Sequence, residues 1–116
     1  MSFHIKTKNG VTIRFRIYHE EAPITSKAFI GLLPFSRNFY HARFSGQEIW
    51  IADAIDLDII QENASVFTLP GEMVLGPSKP SRAKTANALG IYYGEGKGFD
   101  AANIFARVYP EDLQLL

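Results

Sequence analysis

Three observations predict an all-β domain, a barrel or sandwich carrying one helix. Roughly seven to nine apolar runs of strand length divide the chain. Turn residues separate most of these runs. Only one segment, ahead of Pro34, places apolar residues at helical spacing.

Residues 11–18 form the clearest strand. Val11, Ile13, Phe15 and Ile17 alternate with Thr12, Arg14, Arg16 and Tyr18, and a period of two buries one face of a strand. Residues 3–7 precede it across Lys8-Asn9-Gly10. Asn-Gly tolerates the positive φ of a tight turn, so the chain opens with a hairpin buried on one face. Pro23 punctuates, and Thr25 or Ser26 is placed to cap a short helix. Ala28, Phe29, Leu32 and Leu33 form its apolar stripe, and Pro34 stops it. Residues 39–44 and 47–51 flank the turn dipeptide Ser45-Gly46. Ile55, Leu57 and Ile59 alternate with Asp56 and Asp58. Residues 65–69 end at Pro70-Gly71, and residues 72–75, 89–93 and 103–109 complete the strands. Two loops are expected, one at 76–84 and a glycine-rich one at 94–98. There is no internal repeat and no linker.

The 116 residues suffice for one domain, 1–116, with one core. Hydrophobic residues make up 47% and charged residues 21%, the balance of a globular chain rather than a disordered one. Twelve basic and twelve acidic residues cancel, so no global field draws in nucleic acid or an anionic membrane. The chain has no cysteine. Thiol catalysis, disulfides and cysteine-held zinc are excluded, and a cytoplasmic location fits. The polar start shows no signal peptide, and no apolar run reaches the ~20 residues of a membrane span.

A two-residue turn at Ser45-Gly46 pairs Arg43 with Glu48, Ala42 with Ile49, His41 with Trp50 and Tyr40 with Ile51. Tyr40, Ala42, Ile49 and Ile51 then face the core. His41, Arg43, Glu48 and Trp50 share the opposite face. An arginine held by a carboxylate presents donors to a carbonyl or carboxylate ligand, and Trp50 supplies an apolar wall. The same residues also suit a cross-strand ion pair of ~0.2–1 kcal/mol or an interface between subunits.

Other clusters carry less. Asp53, Asp56, Asp58 and Glu62 lack the glycine and spacing of a calcium loop and read as a solvated edge. Lys79, Arg82 and Lys84 read as a solvated loop. The run at 94–98 lacks the lysine-serine pair of a phosphate loop. His4, His19 and His41 have no metal-ligand spacing, and no Gly-x-Ser-x-Gly marks a serine nucleophile. No metal and no cofactor are expected.

Several segments resemble cyclophilins, in the right order. Ala22-Pro23-Ile24-Thr25 and the helix after it are similar to the family's "APxTxxNFxxL" run. Residues 46–51 resemble the strand after the catalytic arginine, and residues 103–108 the late "VVFGKV" strand. Residues 88–93 extend the likeness over most of the chain. The short length resembles the small bacterial cyclophilin-like domains of uncharacterised function. The resemblance implies a closed barrel of about eight strands with one main α-helix, working on its outer face. It places a catalytic arginine at Arg37 or Arg43, according to register. The family's active-site tryptophan and histidine fall near Lys97 and Ala102, so both are replaced; Phe99 offers other aromatic surface.

The sequence therefore predicts a barrel that binds a small molecule or a proline-containing peptide in an outer-face groove. Arg43 and Arg37 are its catalytic candidates, and His41, Glu48, Trp50 and Phe99 its ligand-binding candidates. Two alternatives stand beside this reading: a peptidyl-prolyl isomerase, whose arginine eases rotation over a barrier of ~18–20 kcal/mol, and a structural homo-oligomer.

Overall fold

The computed structural model describes residues 2–42, 46–51, 58–80 and 86–116, with the side chain of Phe99 outside that description. Strands dominate and close into a barrel. β1 (Ser2–Lys6) and β2 (Thr12–Ile17) form the opening hairpin, with Phe3 opposite Phe15 and Ile5 opposite Ile13. Ile13, Phe15 and Ile17 are buried as their alternation requires, and the Phe3 and Phe15 rings stack 5.1 Å apart. Gly10 takes φ +86, the left-handed turn geometry that glycine adopts without steric cost.

The helix α1 spans Pro23–Ile30 and so begins ahead of the residues expected to cap it. Pro23 occupies its first turn, where the missing N–H leaves no bond unmade. Thr25 and Ser26 lie inside the helix and are buried. The cap comes from far along the chain, because the Glu62 carboxylate accepts the Thr25 N–H. Phe29 packs against Phe3 and Phe105, with ring centroids 5.0 and 4.9 Å away.

β3 (Tyr40–His41), β4 (Gly46–Ile51), β5 (Ala64–Thr68), β6 (Glu72–Leu75) and β7 (Leu89–Val108) follow, then a 3-10 helix over Pro110–Leu115. The sheet runs β1-β2-β7-β4-β3, with β5 and β6 also bonded to β7. The glycine segment 94–98, expected as a turn, is the middle of β7. Gly96 pairs with Gly46 of β4 and with Thr68 of β5, so strands on both sides hold this backbone extended. A Cβ at Gly46 would meet the Glu95 oxygen at 3.0 Å, tighter than side chains ordinarily pack, and the φ of +104 there also favours glycine.

β7 coils far enough to meet both edges of β6. Met73 pairs with Ile91 on one side and with Ala106 on the other, which closes the barrel. The inward residues, among them Phe15, Phe29, Met73, Leu75, Leu89, Ile91 and Phe105, form the main core. Val74, Tyr92 and Ile104 form a second, smaller cluster with Tyr18 and Ala102 against it. Strand alternation puts this cluster on the outside of the barrel wall.

Candidate functional site

The expected β3–β4 register is corrected by one residue. Tyr40 pairs with Trp50, and His41 with Ile49. A one-residue slip exchanges the two faces. Tyr40, Glu48 and Trp50 therefore share the outer face, and His41 falls on the face of Ile49, its ring edge-on to Tyr93 at 6.0 Å. Gly46 already belongs to β4, with φ +104; Ser45 lies outside the described residues. Glu48 is buried beside Gly90, where any Cβ would overlap its carboxylate. Trp50 is 37% exposed and Tyr40 66%. Arg37 is exposed between α1 and β3, its Nη1 donating to the Ser36 carbonyl at 2.9 Å. Arg43 and the side chain of Phe99 lie outside the described residues. Of the acidic stretch, Asp58 bridges Lys79 at 3.0 Å and Glu62 serves α1; Asp53 and Asp56 lie outside the description. Among the described residues, no group of histidine and acid side chains is arranged to hold a metal.

Further along the outer face the barrel wall builds a groove of about 380 Å³. Its polar centre is the Tyr18–Glu72 pair. Tyr18 follows β2 on the outward side, and its Oη donates to Glu72 Oε2 at 3.0 Å. Glu72 opens β6; its Oε1 accepts the Leu69 N–H at 2.7 Å, which fixes the carboxylate from both ends. Burial first, and the Glu72 charge second, push the Tyr18 phenol up to about 12. Tyr18 is therefore a neutral hydrogen-bond donor throughout the physiological range. Glu21 adds a second acid to the lining, and Ile104 an apolar wall.

Two side chains at the groove are apolar and uncovered. Phe67 is 65% exposed and Leu69 52%. They follow a bulge in β5 between Ser65 and Phe67, where Ser65 Oγ accepts the Phe67 N–H at 3.0 Å. Bulges re-aim side chains in this way. Lys97 Nζ stands 5.7 Å from the Phe67 ring centroid. Among the described residues no histidine lines the groove. The arrangement is suited to recognition: apolar walls around an oriented phenol and carboxylate.

These residues were partly readable. The alternation of residues 11–18 already turned Tyr18 outward. Its bond to Glu72 crosses 54 positions of sequence, and no local pattern carries that.

A family model matches residues 5–111, nearly the whole chain. The chain belongs to DUF3830, a family of proteins of unknown function. No curated protein matches this DUF3830 chain. Among solved structures it is similar to McbB in complex with tryptophan, with a TM-score of 0.73 at 20% identity. The match covers 98% of this chain and 36% of McbB, so the DUF3830 chain spans about a third of that protein. At this identity the likeness establishes a shared fold.

Proposed function

We propose that this DUF3830 chain is a small-molecule-binding barrel of cyclophilin-like type. Its ligand seat is the outer-face groove around Tyr18 and Glu72. The observation that carries the reading is the pair of uncovered side chains, Phe67 and Leu69, beside a buried and oriented carboxylate. Exposed apolar side chains bordering a concave site gain by covering a ligand's apolar body. Glu72 and Glu21 favour a donor-bearing, cationic head group. The ligand class is an amine with an aromatic or branched apolar body. McbB, which shares this fold over about a third of its length, was solved in complex with tryptophan, a small molecule.

A second reading rests on the Tyr40–Trp50 pair. Two aromatic rings at paired positions on the outer face, with Glu48 on the same side, suit a proline-containing peptide, which docks on aromatic-lined surfaces.

The two readings part in one titration. Phenethylamine added to the labelled protein should shift the amides of Phe67, Leu69 and Glu72 and leave Trp50 fluorescence unchanged. Glu72→Gln or Glu21→Gln should weaken that binding roughly tenfold, the loss of one charge-assisted hydrogen bond. A proline-rich peptide that quenches Trp50, with no response to the amine, would favour the second reading. Silence to both would overturn the assignment of this face as a binding surface.

A further inference from the structure

A second concavity, of about 340 Å³, shares no lining residue with the first. Arg16 of β2, Arg107 of β7 and Tyr109 line it with Pro70, Val108 and Leu113. We propose that this groove binds the carboxylate of a small organic acid between Arg16 and Arg107, with the acid's apolar body against Pro70, Val108 and Leu113.

The register puts Arg16 directly opposite Arg107. Side chains at such positions start ~4.5–5.5 Å apart at Cβ, and like charges there oppose folding. The fold bridges such a charge one step away, whereas this pair has no salt bridge among the described residues. Arg14 lies two residues before Arg16, on the same face of β2. It receives Asp112 in a two-point clasp, Nε to Oδ2 at 2.8 Å and Nη2 to Oδ1 at 2.9 Å, with Glu111 at 3.6 Å. The Arg14 side chain and its backbone N–H hold the Asp112 carboxyl down to about 2. Among the described residues no carboxylate bridges Arg16 or Arg107. Glu72 stands opposite Arg107 in the β6–β7 register, with its carboxylate turned to Tyr18 and the Leu69 N–H, and it makes no salt bridge to Arg107.

Each guanidinium group has a contact within the fold. Arg107 Nε donates to the Pro70 carbonyl at 3.1 Å, which sets the plane of the fork, and among the described residues no carboxylate bridges its Nη groups. The Arg16 guanidinium carbon stands 5.8 Å from the Tyr18 ring centroid, a contact between a cation and a ring face rather than an acid. Two guanidinium forks, one oriented through its Nε, over a mostly apolar lining match the oxygens of a carboxylate and the body behind them. Bare inorganic phosphate would leave that apolar lining uncovered.

The test is a titration of the full chain, followed through backbone amides and arginine Nε–H signals, with benzoate, benzyl alcohol and inorganic phosphate. Benzoate should shift Arg16, Arg107 and Leu113, and benzyl alcohol should not. Arg16→Gln and Arg107→Gln should each weaken benzoate roughly tenfold or more, while Lys6→Gln, an exposed charge on β1, should leave it unchanged. Arg107→Lys keeps the charge and loses the fork, so it should bind with intermediate affinity and serves if Arg107→Gln does not fold. No benzoate shift, or equal affinity in the arginine variants, would overturn the site. Phosphate binding as tightly as benzoate would overturn the organic-acid assignment.

Discussion

Tyr18 is the residue whose chemistry the fold changes most. Its phenol stands at about 12 instead of 10, because burial penalises the phenolate and Glu72 opposes a second negative charge. A group whose pKa rises on folding contributes stability below its unfolded value and loses that contribution as pH climbs through the folded one. The linked stability is therefore fully present at neutral pH and is lost as pH climbs from about 10 to about 12, where the folded phenol ionises and its bond to Glu72 breaks. A spectrophotometric titration of the protein, which has five tyrosines, should include a late phenol ionising near pH 12. Tyr18→Phe should remove that late step and leave the others in place. If the late phenol persists in the variant, the shift belongs to another tyrosine and the groove's polar centre is not the one described.

At the scale of elements, the readable parts were those set by alternation, and the unread parts were those set by distant partners. Ile13, Phe15 and Ile17 are buried because a strand with one solvated face must alternate, whatever lies beyond it. The β3–β4 register was missed because a turn dipeptide fixes pairing only if both its residues lie in the turn, and Gly46 is already in β4. The glycines at 94–98 signal a turn locally, yet β4 and β5 hold them extended. The start of α1 was missed because its cap, Glu62, lies 37 residues away. Asn103 ties these pieces together. Fully buried in β7, it accepts the Glu62 N–H at 3.0 Å and donates to Thr25 Oγ1 at 3.0 Å and to the Ile60 carbonyl at 2.9 Å. Asn103→Ala should cost about 2–4 kcal/mol in denaturant unfolding, a cavity plus orphaned partners. Asn103→Leu restores volume and not the bonds, so it should remain well below the native protein. Native stability in Asn103→Leu would show that the site needs only to be filled.

The whole molecule depends on a closure that no segment encodes alone. β7 contributes to both sides of β6, so Met73 is clamped between Ile91 and Ala106, which are 15 positions apart on one strand. The Met73 side chain is 1% exposed and belongs to the core that unites β1, β2, β4, β6, β7 and α1. A hairpin can form from local signals, whereas this contact exists only when the barrel shuts. Disrupting it should therefore destabilise the molecule as a unit rather than loosen one edge. Met73→Ala removes a buried side chain from a packed site, at about 2–5 kcal/mol. Trp50 on β4 reports one part of the wall by fluorescence, and far-ultraviolet circular dichroism reports all strands together. The two midpoints should coincide in the native protein, as cooperative unfolding requires, and move together to lower denaturant in Met73→Ala with an unchanged slope. If the Trp50 transition stays in place while the dichroism transition falls, β4 keeps its structure without the closure at β6, and the barrel is two separable halves rather than one cooperative wall.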